Sequence, residues 1–219
     1  MEWRYASLTF FQLSAIAQAS EFKDIRFRNG EKALYKNINK SPYIRFPIPV
    51  NLDLPAHKVS LLVQSVLGAA DIPWDGEYAK HRQQYNNEAS MIFKRINRLT
   101  RCIIDCQIYS GDSVGINNAL LLERSFTARV WDDSALQMKQ VETLGIAGCR
   151  KLAQADIRSL EELECTNPHR IELVLGRNPP YGLKILEKLK AFPKLRISLH
   201  LQSMPVSNRP YIVLHFLTS

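Results

Sequence analysis

The sequence predicts a mainly α fold, made of a helical bundle, a module of short helices and two C-terminal strands. Apolar residues recur every three or four positions from about Leu8 to Trp131, which is typical of core-facing helices. Glycines and prolines then divide the chain into short helical segments, and beyond Pro193 the apolar spacing changes to two, as in strands. With 219 residues, 46% of them hydrophobic, the chain can bury a sizeable core. We place the three parts at 1–132, 133–193 and 194–219.

Four helices are predicted in the bundle. The first runs from about Thr9 to Phe22, and the second begins near Ala56 after a proline-rich extended stretch. The third is the longest, at about 86–108, and the fourth runs from about Gly115 to Trp131. The predicted buried stripe of the third helix is Ala89, Ile92, Phe93, Ile96, Leu99, Ile103 and Cys106.

No catalytic or metal-binding constellation is visible. Cys102 and Cys106 lie four residues apart, which would bring two thiolates together, but no histidine is close in sequence, and we interpret them as two core cysteines. None of the nine glycines is followed directly by lysine, so the phosphate-binding loop of NTPases is missing. We therefore expect no enzyme activity, no cofactor and no metal in this chain.

The charge balance favours a polyanionic partner. Lysine and arginine number 29 against 21 acidic residues, giving a net charge of +8. Nucleic acid and anionic membrane surfaces both attract such a chain. No apolar run approaches the roughly 20 residues that span a bilayer, so we expect no membrane partner.

Arginines recur on the predicted helix 86–108. Arg95, Arg98 and Arg101 are spaced three apart, so each is rotated slightly around the helix from the one before it. Their side chains form a row within reach of one nucleic-acid backbone. The alternative is an ordinary solvated helix face.

The segment LGIAGCRKL, from Leu144 to Leu152, has the composition of a helix-hairpin-helix turn. Gly145 and Gly148 would let backbone amides approach a phosphate, and Arg150 would add charge. The alternative is a purely structural turn in which Ile146 plugs the core.

Long segments, in order, resemble the Sec-sixty-three-type domain of Mer-three-type meiotic DNA helicases, which are Ski-two-like superfamily 2 proteins. They include EFKDIRFRNGEKALYKNINKSPYIRFPIPVNLDLPAHKVSLLVQSVLG, YNNEASMIFKRINRLTRCIIDCQ and LEELECTNPHRIELVLGRNPPYGLKILEKLKAFPKLRISLHLQ. The resemblance implies a helical bundle, a helix-hairpin-helix module and the first strands of a truncated immunoglobulin-like β-sandwich. It also implies a fragment without the motor.

The resemblance implies a function and a strand-contacting surface. In related helicases the long bundle helix is a ratchet helix that contacts single-stranded DNA, and the segment NRLTRC matches that place. Arg98 and Arg101 are therefore the first candidates for DNA contact, followed by Arg95 and Asn97, with Gly145, Gly148 and Arg150 in the hairpin.

Two functions follow as hypotheses. The first is the C-terminal accessory region of a nuclear 3′-to-5′ DNA helicase in meiotic recombination and crossover formation, contacting single-stranded or branched DNA. Its partners would be RecA-like motor domains using ATP and Mg²⁺, a winged helix and recombination proteins. The second is a protein-interaction scaffold without direct nucleic-acid contact.

Overall fold

The computed structural model of the chain describes the backbone of residues 2–192, 195–202 and 211–218, and the side chains of residues 8–192. This part is mainly helical, as predicted. The helices are α1 (Glu2–Ala17), α2 (Glu31–Asn39), α3 (Pro55–Leu67), α4 (Arg82–Phe93), α5 (Ile96–Ser110), α6 (Ser113–Ala128), α7 (Ile146–Gln154), α8 (Leu160–Cys165), α9 (Pro168–Leu175) and α10 (Tyr181–Lys190). Two antiparallel strands follow, β1 (Leu195–Gln202) and β2 (Tyr211–Thr218).

The chain divides into two compact units, one up to Ser159 and one from Leu160 onward. Helix α7 belongs to the first unit, and α8 to α10 belong to the second. The boundaries predicted after residues 132 and 193 stay predictions, as do the helix-hairpin-helix module and the immunoglobulin-like β-sandwich. The side chains of both strands, on which the sandwich prediction depends, lie outside the described residues.

Helix α3 is the centre of the first unit. Pro55 occupies its first turn, where the fixed φ and the missing N–H suit a helix start. Its apolar side chains Val59, Leu62 and Val63 are completely buried, and the helix packs against α1, α2 and α4. Burying each such side chain contributes about 1.5–3 kcal/mol, so this helix anchors the bundle.

A buried ion cluster joins α2, α3 and α4. The Lys58 ammonium lies 2.7 Å from carboxylate oxygens of both Glu31 and Glu88, and it donates to the Arg26 carbonyl at 3.0 Å. The Tyr35 ring lies 5.5 Å from the ammonium. Burial, followed by the charges of Glu88 and Glu31, raises the pKa of the Tyr35 hydroxyl, which therefore stays neutral. One lysine thus forms ion pairs with two carboxylates inside the core.

The continuous helix predicted over 86–108 is wrong, because the chain breaks it into α4 and α5. Lys94 and Arg95 form a turn between the two, and Arg95 has a φ of −114°, away from helical values. Ile92 and Ile96, on either side of the turn, are both completely buried. The break lets α4 pack on α3 while α5 packs on α6. Tertiary packing therefore overrides a periodicity that contains neither glycine nor proline.

The prediction of two core cysteines is also wrong. Cys102 and Cys106 are both exposed, because the buried face of α5 is formed by Ile96, Thr100 and Ile104. The turn before α5 changes the phase of the apolar stripe, so the two thiols lie on the open side of the helix. Among the described residues, no group of three or more His, Cys, Asp or Glu is placed to share a metal ion.

The second unit contains a close helix pair. The Asn167 side chain caps α9 by accepting from the His169 amide at 2.9 Å, next to Pro168 in the first turn. The buried Glu172 carboxylate accepts from the Gly182 amide at 2.9 Å, which ties α9 to the start of α10. A side chain at position 182 would collide with the Pro168 backbone, so this crossing requires glycine.

Candidate nucleic-acid interface

One face of α5 is open along the whole helix. Arg98 and Arg101 are 71% and 72% exposed at the side chain, and Tyr109, in the last turn, is 95% exposed. Cys102 and Cys106 lie between them and are also exposed. At about 100° of rotation per residue, these five positions fall within an arc of about 140°, so they share one side of the helix. We call this surface, Arg98, Arg101, Cys102, Cys106 and Tyr109, the α5 face.

The two arginines of the α5 face are held loosely. Arg98 lies 3.4 Å from the Glu21 carboxylate, and Arg101 donates to Glu123 at 2.8 Å. That hydrogen bond and the charge of Glu123 raise the pKa of Arg101, so the guanidinium stays charged. Ion pairs formed by such exposed guanidinium groups contribute little to stability, because solvent screens them. A phosphate can therefore replace either carboxylate as the partner at small cost.

The two weaker candidates on the helix have intramolecular roles. Arg95 is exposed, precedes α5 and donates to the Glu21 carbonyl at 3.1 Å. Asn97 is half-buried and donates to the Thr127 hydroxyl at 3.1 Å, which links α5 to α6. Its Oδ1 is buried without a hydrogen-bond partner. Asn97 therefore lies behind the α5 face, on the side toward α6.

The hairpin glycines lie at the start of α7. Gly145 is the N-cap residue with an extended backbone, at φ −79° and ψ 167°, and a Cβ there would meet nothing within 4 Å. Gly148 is half-buried within the first turn. Neither the backbone conformation nor crowding by neighbouring atoms requires glycine at position 145. Phosphate contact by Gly145 and Gly148 stays a prediction.

Arg150, the third hairpin candidate, braces the bundle. Its guanidinium lies 2.8 Å from the Asp71 carboxylate, donates to the Ala69 carbonyl at 3.0 Å and stacks 5.1 Å from the centre of the Tyr43 ring. Each of these contacts ties α7 to the segments that flank α3. Phosphate contact by Arg150 stays a prediction, and any such contact competes with this brace.

Sequence reasoning missed Tyr109. The predicted helix ended at residue 108, whereas α5 continues to Ser110 and stops at Gly111, which adopts a left-handed φ of 70°. Ile108 beside it is 58% exposed. A glycine after an apolar run is a typical helix end, and that signal would have placed Tyr109 in the last turn.

A family model described as Sec63 Brl domain matches residues 11–214. The chain belongs to the Sec63 Brl domain family. The resemblance seen in the sequence is thereby confirmed, since this match covers nearly the whole chain.

Curated relatives of this Sec63 Brl domain include several helicases. The ATP-dependent DNA helicase MER3 of Saccharomyces cerevisiae is 30% identical over 202 residues, covering 90% of this chain and 17% of the relative. The ATP-dependent DNA helicase homolog MER3 of Arabidopsis thaliana is 28% identical over 183 residues, covering 83% of this chain and 16% of the relative. The human U5 small nuclear ribonucleoprotein 200 kDa helicase is 26% identical over 189 residues, covering 84% of this chain and 8% of the relative. The chain spans less than a fifth of each relative.

No helix among the described residues of this Sec63 Brl domain is long and apolar enough to cross a membrane.

We expect Arg150→Gln to lower the free energy of unfolding by about 1–2 kcal/mol, because the change leaves Asp71 and the Ala69 carbonyl without their charged donor. Urea denaturation measures this loss. Lys151→Gln is the matched control, since its side chain is exposed on the same helix. An unchanged urea midpoint for Arg150→Gln would contradict the brace.

Proposed function

We propose that this Sec63 Brl domain is the C-terminal accessory region of a 3′-to-5′ DNA helicase in meiotic recombination and crossover formation, and that its α5 face contacts single-stranded DNA. The similarity to the yeast and Arabidopsis MER3 helicases supports the helicase assignment. RecA-like motor domains and a winged helix of the parent would supply ATP hydrolysis with Mg²⁺. This chain would supply a passive basic surface, and the parent would act in the nucleus.

The observation that carries the proposal is the α5 face itself. Two guanidinium groups lie one helical turn apart and are more than 70% exposed, and each has a single half-buried carboxylate partner to leave. Tyr109 extends the same face with an open aromatic ring, on which a base can stack. A row of cations beside an aromatic ring is the usual composition of a surface that follows a single strand without reading its sequence.

Salt dependence of binding tests this proposal. We expect the purified chain to bind labelled single-stranded DNA weakly, with a dissociation constant on the order of 10⁻⁴ to 10⁻⁶ M. Each phosphate neutralised contributes about 0.7 to the slope of log affinity against log salt, so two or three arginine contacts predict a slope of about −1.5 to −2. Fluorescence anisotropy at several salt concentrations measures it. An affinity that does not change with salt concentration would contradict phosphate contact.

A protein-interaction scaffold is the second candidate, and one observation favours it. Phe10 and Phe11 on α1 are 43% and 63% exposed, and the Phe10 ring lies 5.8 Å from that of Phe46. Exposed aromatic clusters of this kind are frequent at protein interfaces. Recombination proteins or the parent's own motor would be the partners. Replacing both phenylalanines by serine would abolish partner binding while leaving the salt-dependent DNA affinity unchanged.

A further inference from the structure

A cavity of about 570 Å³ opens beside the C-terminal half of α6. Its walls come from α6, from the segment after it, and from the 3₁₀ helix Gln137–Gln140, all within the first unit. The polar side chains that matter for its chemistry are Glu123, Thr127, Trp131, Asp132, Gln137 and Gln140. Cavities of this size accept small organic groups.

One hydrogen bond connects this cavity to the α5 face, and a second connects it to the side of α5 behind that face. Glu123 in its wall accepts from Arg101 of the α5 face at 2.8 Å. Thr127, one turn further along α6, accepts from Asn97 of α5 at 3.1 Å. A phosphate that meets Arg101 would therefore lie close to a carboxylate of the cavity wall.

The cavity wall is rich in hydrogen-bond acceptors. Glu123 and Asp132 contribute carboxylates, while the amide nitrogens of Gln137 and Gln140 already donate to backbone carbonyls. Their amide oxygens remain to accept. Arg124 is the basic residue of the lining, and it is paired with Asp132 at 3.0 Å. Such a wall suits a ligand that carries N–H donors.

Trp131 adds an aromatic side chain to the cavity wall, and the residue is only 5% exposed. Its indole Nε1–H is buried beneath the surface, so the ring, and not this donor, would meet a ligand. A flat heterocycle with N–H donors would match the acceptor-rich wall and could pack against the ring.

We propose that the cavity receives one amino-bearing nucleobase of a single strand that lies on the α5 face. The inference rests on the proposed function and adds a base-binding site to it. Adenine, cytosine and guanine carry an exocyclic amine that would donate to the carboxylate and amide oxygens, whereas thymine carries acceptors at the corresponding positions. Turning a base out of a strand that is already single costs little compared with opening a duplex.

Three oligonucleotides of equal length and charge test the proposal: cytosine runs, thymine runs and an abasic backbone. Anisotropy is measured above neutral pH, where cytosine runs stay single-stranded. We expect the wild-type chain to bind the cytosine strand about fivefold more tightly than the other two, which corresponds to about one net hydrogen bond.

Two variants test whether the cavity is responsible. Gln140→Leu removes an acceptor at nearly constant size, and Ala128→Phe fills the cavity from α6. Both should equalise the affinities for the cytosine and thymine strands while leaving binding to the thymine strand unchanged. Gln83→Leu, the same substitution at an exposed position on α4, should retain the preference. Circular dichroism melts check that each variant is folded.

The outcomes separate the two proposals. Equal binding of all three strands by the wild-type chain would overturn the base site while the strand contact stands. A cytosine preference that survives in both folded cavity variants would also overturn it, since the base would be bound elsewhere. Absence of binding to every strand at low salt would overturn the strand contact and the base site together.

Discussion

Replacing Lys58 by methionine is expected to lower the free energy of unfolding by about 3–5 kcal/mol, because it leaves two buried carboxylates without a cation. Glu31 and Glu88 each lie 2.7 Å from the ammonium and are at most 6% exposed at the side chain. Methionine is unbranched and only one heavy atom shorter than lysine, so most of the loss reports the charge and little of it the packing. Urea denaturation followed by circular dichroism measures it.

An exposed ion pair supplies the matched control for that prediction. Lys32 lies 2.6 Å from Asp53, and both side chains are more than half exposed. Lys32→Met should therefore change the urea midpoint very little, because solvent screens an exposed pair. Adding Glu31→Gln and Glu88→Gln to Lys58→Met should restore part of the stability by removing the unpaired charges. Equal losses for Lys58→Met and Lys32→Met would contradict the buried cluster.

Reversing both charges of the α5 face is expected to abolish measurable binding of single-stranded DNA. In the Arg98→Glu, Arg101→Glu variant each guanidinium is replaced by a carboxylate that repels phosphate. The loss should exceed tenfold in affinity, or roughly 1.4 kcal/mol, at low salt. The effect on folding should be small, since both arginine side chains are more than 70% exposed.

A second double variant separates the position of the charge from the net charge. Lys36→Glu with Lys40→Glu changes the net charge by the same amount, at two exposed positions of α2 and its C-cap. DNA binding should weaken only slightly, through long-range attraction that salt screens. If the two double variants lost affinity equally, the α5 face would not be the contact surface.

Local patterns predicted part of this fold well. The three-to-four spacing of Val59, Leu62 and Val63 correctly predicted the buried face of α3, because this spacing is a property of the segment itself. The start predicted near Ala56 lies one residue after the observed start at Pro55. Arg98 and Arg101 were likewise predicted on one helix face, and both are exposed.

Features that depend on distant residues were not predictable in this way. The turn at Lys94 and Arg95 arises because α4 and α5 pack on different partners, and no local breaker marks it. Arg150 is held by Asp71, which lies 79 residues earlier in the chain. From the sequence alone Lys58 would be placed on the surface, because its buried partner Glu31 is 27 residues away and no local pattern indicates the pair. Only tertiary structure brings such pairs together.

The thiols of the α5 face offer the most direct test of the proposed strand contact. Cys102 and Cys106 are exposed between the arginines and Tyr109, whereas Cys165 is exposed in the second unit. Cys149 is buried, and burial raises the pKa of its thiol, so it should stay unreactive throughout. The native chain therefore carries both the reporters and their controls.

The measurement is the alkylation rate of each cysteine by N-ethylmaleimide, followed by peptide mass spectrometry, with and without saturating single-stranded DNA at low salt. We predict that bound DNA slows alkylation of Cys102 and Cys106 severalfold and leaves Cys165 unchanged. Unchanged rates at Cys102 and Cys106, with anisotropy showing that DNA is bound, would contradict the account and place the strand elsewhere on the protein.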